Sequence, residues 1–350
     1  MIHYRLANLD DNLKLIQLTA ESGMAGDIGL RIDRKPDFFS LLKTRGNTKV
    51  FVAEENGEIV GAICVSLQNV YVGGELYPLQ YIGDFKVAKK FRNKGIGLEL
   101  CNKMADYVIS KDSDLAFLNV SKGNTKPLSF FKNRPGVPDF DNIGIFKIYQ
   151  IIGKRKKRTS SEYPIVEASL DDKVIHFFNV YYSDYQLGPA LTKEKFENTR
   201  IFLIRESDRI IAAMSLIDTM PVKQNVVTTL SWKLRLLLKL INICSGFLGI
   251  SKMPLLNEPV KMLYIKYLCV DANNKRIAKL LVNYARNIAF EMSYSFVSIG
   301  LHEKDQLNNC LSGLPKLKFR SVGMLLSIKD NRHLINKVKN GIPYEDYSLV

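Results

Sequence analysis

Between Gln80 and Ser110 the chain alternates, turns and then coils, and this stretch restricts its fold more than any other. Tyr81, Ile82, Phe85 and Val87 are apolar with a period near two, which predicts a strand. Leu100, Cys101, Met104, Ala105 and Val108 recur at helical spacing behind it. Between them lies a basic turn, Ala88 to Gly97, with glycine at 95 and 97, so a glycine turn opens directly into a helix N-terminus. The first amides of a helix lack internal partners and the macrodipole adds positive charge, so such a turn suits a phosphate-bearing ligand. Lys89, Lys90, Arg92 and Lys94 add charge that a purely structural turn does not need. A solvated basic loop is the plainer alternative.

The 350 residues exceed the usual single core, which predicts two domains. A formal charge of +15 points to anionic company: a phosphate-bearing ligand, nucleic acid, acidic lipid or an anionic acceptor. Charge alone does not choose among them. Five scattered cysteines (Cys64, Cys101, Cys244, Cys269, Cys310) argue against a disulfide framework or a zinc site, and Cys64 and Cys269 fall in apolar strand patterns. His3, His176, His302 and His333 are too dispersed for a metal cluster, so no metal is expected. The first residues lack the pattern of a signal peptide, which makes a cytoplasmic location the default expectation.

The pattern Val-x-x-x-x-Arg-x-x-Gly-x-Gly, after an apolar strand and before an apolar-striped helix, resembles the acyl-CoA signature of GNAT-family N-acetyltransferases. The resemblance implies that backbone amides of Arg92, Asn93, Lys94, Gly95, Ile96 and Gly97 hold the CoA pyrophosphate, and that the strand at Phe85, Lys86 and Val87 bonds the pantetheine and thioester. Asn124 stands at the family's recurrent asparagine. Seven residues on, where the family commonly has a proton-donating tyrosine, this chain has Phe131, which cannot give a proton. Gly136-Val137 replaces the common Gly-Phe.

The resemblance also implies a fold: an α/β (α+β) chain of tandem GNAT-like domains, each a mixed, mostly antiparallel sheet flanked by helices. Residues Ile2 to Leu6 read as a first strand, helices follow near Leu13 to Leu18 and Phe38 to Lys43, and Gly23 to Arg34 is the candidate acceptor loop. Two apolar runs joined at Asn56-Gly57 predict a hairpin. Leu115 to Val120 should pair parallel to the strand at Ile82 to Val87, and Ile143 to Ile152 should close the domain. The basic run Lys154 to Arg158 reads as a solvated linker or an anionic-surface contact. The division is then residues 1–153 as catalytic domain, 154–161 as linker and 162–350 as a second copy.

That second copy is visible without a gap: Val50 to Ala62 lies over Ile201 to Ala213 with one polarity pattern, and Tyr264 to Val270 lies over Tyr81 to Val87. Its turn has lost both glycines, with Ala278 and Leu280 expected in their places, so no CoA is expected there. An insertion at about 220–259 contains Trp232-Lys233-Leu234-Arg235-Leu236-Leu237-Leu238-Lys239-Leu240-Ile241, too charged to span a membrane. A helix covering the cleft or packing on the other domain is favoured there over an interfacial membrane helix or a dimer face. His302-Glu303-Lys304-Asp305 reads as a polar loop, and the tail from Gly341 to Val350 as an edge segment of undetermined place.

The leading expectation is an acyltransferase that moves an acetyl group from acetyl-CoA to an unidentified primary amine by direct attack, so that the protein orients both partners and accepts a proton. Asp84, on the central strand beside the thioester contacts, is the first candidate base and Glu75 the second, with an ion pair to Lys86 or Arg92 as the alternative role for Asp84. A Fem-like aminoacyl-tRNA-dependent transferase and a non-catalytic CoA-binding scaffold are the other classes. Nucleic acid and a membrane surface rank below acyl-CoA as partners.

Overall fold

The computed structural model describes residues 1–21, 23, 28–111, 113–123, 139–155, 163–329 and 331–350. In chain order the first half comprises β1 (His3–Leu6), α1 (Asn12–Glu21), β2 (Ile28–Asp33), α2 (Phe38–Arg45), β3 (Asn47–Glu55), β4 (Glu58–Val72), β5 (Glu75–Val87), α3 (Ile96–Ile109), β6 (Leu115–Ser121) and β7 (Asp141–Ile152). The second comprises β8 (Val166–Ala168), α4 (Asp172–Ser183), β9 (Gly188–Pro189), β10 (Thr199–Glu206), β11 (Arg209–Asp218), β12 (Gln224–Leu230), α5 (Trp232–Leu248), β13 (Met262–Val270), α6 (Lys275–Glu291), β14 (Phe296–His302), β15 (Lys316–Ser327) and α7 (Arg332–Asn340).

The repeat is written in the hairpins. Asn56 and Gly57 both take positive φ between β3 and β4, and Ser207 does so between β10 and β11. Each hairpin also slips register once, between Ala53 and Glu54 and between Ile204 and Arg205, which are equivalent positions. In each half one helix supplies a crossover to a parallel strand: α3 between β5 and β6, α6 between β13 and β14. Apolar stripes bury each helix against its sheet, Leu100, Cys101 and Met104 on Ile63, Ile82 and Leu118 in one half, and Leu281, Ala285 and Ile288 on Met214, Leu268 and Val297 in the other. Truncating a fully buried leucine such as Leu100 to alanine costs about 2–5 kcal/mol.

The closing strands exchange places. The order across the large sheet is β1-β3-β4-β5-β6-β15-β7-β14-β13-β11-β10-β8, so β15 of the second half lies beside β6 of the first, and β7 of the first lies beside β14 of the second. The two exchanged strands also pair with each other, from Lys316 opposite Ile151 to Leu325 opposite Asp141. Both halves therefore share one thirteen-stranded sheet, with β9 attached to β4.

Two smaller features lock the halves further. The segment expected as an acceptor loop contains a strand instead: Ile28–Asp33 pairs antiparallel with β12 of the insertion, giving β2 an edge on which to satisfy its backbone. The tail runs inward. Gln186 N–H donates to the Ile342 carbonyl at 2.9 Å and Tyr344 N–H to the Gln186 carbonyl at 2.8 Å, and across the halves Asn119 Nδ2 donates to the Tyr347 hydroxyl at 2.6 Å.

Candidate acyl-donor and acceptor site

Where β5 ends, Ala88 N–H is held by the Val60 carbonyl at 2.8 Å and a single 3-10 turn spans Lys89–Phe91. Arg92 Nε then donates back to the Val87 carbonyl at 3.1 Å, which ties the turn to the strand it leaves. Asn93 (φ 63°) and Gly95 (φ 80°) are left-handed, and Gly95 is the N-cap of α3. Lacking a side chain, Gly95 cannot cap, so the leading amides of α3 have no side-chain acceptor. A Cβ at Gly95 would meet nothing within 4 Å, so the space in front of those amides is open. Lys89, Lys90, Arg92 and Lys94 are exposed around it. Amides without a side-chain acceptor, a helix dipole and exposed cations make this turn fit a pyrophosphate.

Upstream of the turn the sheet opens. The parallel ladder between β5 and β6 runs only from Leu79 opposite Leu115 to Ile82 opposite Leu118, while β6 continues along β15 to Ser121. Gly83, Lys86 and Val87 thus pair with β4 on one side, and the ladder with β6 ends before them, which places Phe85, Lys86 and Val87 along the slot where the two parallel strands part. A bulge sits at the same place: Cys64 opposes Gly83 and Ala62 opposes Lys86, and Asp84 takes φ 52°. The bulge turns Asp84 and Lys86 to the face away from α3, while Phe85 and Val87 pack on the α3 side.

On that second face Asp84 is the hub of an ion cluster. Arg34 Nη2 donates to its two oxygens at 3.0 and 3.2 Å, Arg45 Nη1 at 2.7 Å and Lys86 Nζ at 2.8 Å. Gly83 leaves room for Arg45, whose guanidinium also lies 5.4 Å from the Tyr81 ring centroid. Burial works to raise the Asp84 pKa, but Arg34, Lys86 and Arg45 outweigh it and hold the carboxyl well below its ordinary range. A carboxylate so held is a weak proton acceptor at neutral pH, which favours the ion-pair role of Asp84, with Lys86 among its partners, over that of base. Glu75 is no substitute: it is exposed at the opposite end of β5, accepting from the Tyr77 hydroxyl at 2.8 Å.

The tail supplies the rest of this face. Tyr81, Arg45, Lys195, Tyr267, Tyr344 and Asp346 line a residual cavity of about 40 Å³. Glu345 is paired with Tyr81, and desolvation, with Asp346 adding to it, raises its pKa well above the ordinary carboxylate range. Buried Lys223 donates to the Ser348 carbonyl at 3.2 Å and a Val350 main-chain oxygen at 2.6 Å. Burial, then the neighbouring Arg34 and Arg45, lower its pKa to about 7. Arg34, Arg45, Lys223 and Glu345 escape sequence reasoning because they come from three widely separated segments. Only Arg34 had a signal, at the edge of the acceptor segment.

The turn of the second half differs from the first in a way the sequence misplaces. Ala278 and Leu280 do not stand at the glycine positions: both lie inside α6, and the loop from Val270 to Lys275 is shorter than that from Val87 to Ile96. Asn274 caps α6, its Oδ1 accepting from Arg276 N–H at 3.0 Å and Ile277 N–H at 3.3 Å. The amides that stand bare in α3 are occupied here. His302 is also structural, its Nε2 sharing a hydrogen bond with the Ile143 carbonyl at 3.0 Å. Asn124, Phe131, Gly136 and Val137 lie outside the described residues. Among the described residues no cluster of three His, Cys, Asp or Glu is placed to hold a metal.

Residues 22–134 match the acetyltransferase (GNAT) family. No curated protein matches the chain. Among solved structures it is similar to the Saccharomyces cerevisiae N-myristoyltransferase with bound myristoyl-CoA and inhibitors (TM-score 0.63, 13% identity, covering 93% of this chain and 80% of that one). It is also similar to a GCN5-related N-acetyltransferase from Anabaena variabilis (TM-score 0.53, 12% identity, covering 94% and 73%). At such identities the likeness speaks to the fold.

Proposed function

The chain carries a GNAT-family acyltransferase domain at residues 22–134, and on that premise we propose that it transfers an acyl group from acyl-CoA to an amine by direct attack on the thioester. The observation that carries this reading is the glycine-capped N-terminus of α3, whose leading amides have no side-chain acceptor, at the end of a bulged strand whose parallel partner diverges. In it the turn Arg92–Gly97 holds the CoA pyrophosphate, and the backbones of Phe85, Lys86 and Val87 hold the pantetheine and thioester. Asp84 fixes Arg34, Arg45 and Lys86 around the acceptor instead of taking a proton.

The proton acceptor we assign is Lys223. Its neutral amine has two N–H groups, which match the two main-chain oxygens it meets, and a lone pair left for the ammonium proton. A base titrating near neutrality is suited to the task. Only the deprotonated form acts, so kcat/KM should rise with pH through about 7 and then level. Lys223→Met should lower it by roughly two to four powers of ten and remove that rise. An unchanged pH profile in the variant would exclude Lys223.

Acetyl-CoA is the simplest donor, but one observation favours a longer chain. A mostly apolar cavity of about 170 Å³ lies under the C-terminal half of α3, from Ile82 at the inner end of the slot to Cys101, Met104, Val108, Leu326 and Ile328. An engineered apolar cavity of roughly 150 Å³ takes up benzene, so this one has room for several methylenes. The N-myristoyltransferase it resembles is a structure with bound myristoyl-CoA. Calorimetry and thermal shift with acetyl-, hexanoyl- and myristoyl-CoA test both points, because a ligand specific to the native state raises apparent stability. One CoA per chain is expected. Two, or none with any donor, would overturn the reading, and tightest binding of acetyl-CoA would exclude the longer chain.

A further inference from the structure

α5 is apolar on two opposite sides, and the body of the protein covers only one. Leu234, Leu238, Ile241 and Ser245 face inward, where Leu238 and Ile241 pack with Met253, Met262 and Phe296. On the other side Trp232, Leu236, Leu240, Ile243 and Phe247 follow one another at steps of four, four, three and four residues, which places them on a single helix face. They are open to solvent, Trp232 at 72%, Ile243 at 79% and Phe247 at 96%, with Leu237 and Leu248 exposed beside them. Soluble monomers rarely expose contiguous apolar patches of more than a few hundred Å², and larger ones mark a binding surface.

The charges around the stripe are all of one sign. Lys233, Arg235 and Lys239 are exposed on the helix, and no acidic residue occurs between Asp218 and Glu258. The far end adds more. Gly249 terminates α5 in a left-handed conformation, its carbonyl accepts from Arg155 N–H at 2.8 Å, and Lys154 bridges to Ile250. The start of the basic run that the sequence offers as a linker is therefore fastened to the end of the apolar helix, with exposed Lys252 beside it. A second copy of the chain fits this surface poorly, because a twofold pairing of α5 would bring six helix cations together with no anion on either helix. No helix among the described residues is long and apolar enough to cross a membrane.

We propose that α5 is an interfacial helix that seats this protein on an anionic lipid surface, with Trp232, Leu236, Leu240, Ile243 and Phe247 entering the headgroup–acyl boundary and Lys154, Arg155, Lys233, Arg235, Lys239 and Lys252 meeting the lipid phosphates. Seated so, the β2–β12 ribbon beside α5 runs from the lipid surface towards Arg34 and the acceptor face.

The chain has a single tryptophan, Trp232, so its emission reports on the stripe directly. The full chain is mixed with vesicles of phosphatidylcholine and phosphatidylglycerol, or of phosphatidylcholine alone, and followed by flotation and Trp232 emission. Flotation and a blue shift with the anionic vesicles are expected, weakening as salt rises. Lys233→Gln with Arg235→Gln and Lys239→Gln should weaken binding about fivefold per cation, roughly a hundredfold in all. Leu240→Glu with Ile243→Glu and Phe247→Glu should abolish it with the melting temperature preserved, since these side chains touch solvent. A native chain that stays in solution without a Trp232 shift would overturn the proposal. So would undiminished flotation of the glutamate variant, or sedimentation showing self-association that this variant abolishes while vesicles are ignored.

Discussion

At Asp84 a left-handed backbone and three cations converge on one carboxylate with 7% side-chain exposure. Neutralising it leaves Arg34, Arg45 and Lys86 facing each other without their anion, and removing one partner of a buried ion pair costs about 3–5 kcal/mol. Asp84→Asn should therefore lose roughly that much stability in denaturant titration, together with activity. A variant of native stability with only kcat reduced would return Asp84 to the role of base. The sequence places Asp84 beside the thioester contacts and offers Lys86 as a partner, but is silent on Arg34 and Arg45. Arg34 and Arg45 lie 50 and 39 positions away, and nothing in their local pattern marks them as buried. Charges that meet only through tertiary structure leave no periodicity to read.

At the scale of elements, the strand, turn and helix from Gln80 to Ser110 are legible because each obeys a local rule: alternation, glycine conformational freedom, helical spacing. The hairpin at Asn56-Gly57 is legible for the same reason. The turn of the second half is less so, because a gapless overlay carried the glycine positions into α6 where the loop is in fact shorter. The functional difference between the turns is one of capping, Gly95 against Asn274. Gly97→Trp, in the first turn of α3, should abolish acyl-CoA binding by calorimetry while the fold is kept, because the indole fills the pyrophosphate space. Undiminished binding in a folded variant would remove this turn as the donor site. Insertion helix α5 is legible as amphipathic, but which of its faces the body covers depends on β12, β13 and β14, which no local pattern specifies.

For the whole molecule, the sequence supports two copies in tandem, yet it gives no hint that β7 and β15 trade places, since each has the length and alternation of a closing strand for its own half. The division at residues 153 and 162 remains a proposal about ancestry and not about folding units, because each half borrows an interior strand from the other. Purified fragments covering residues 1–155 and 163–350 should each aggregate alone and yield folded protein when refolded together. An independently folded 1–155 fragment with a sharp thermal transition would contradict this. The exchange also bears on synthesis. β6 ends at Ser121 and the strand that covers it ends at Ser327, so about 200 further residues must leave the ribosome before the open edge is paired. At ~5–20 residues per second, the nascent first half waits roughly 10–40 s with an unpaired strand edge facing the cell, which makes this chain a natural client for chaperones acting during translation.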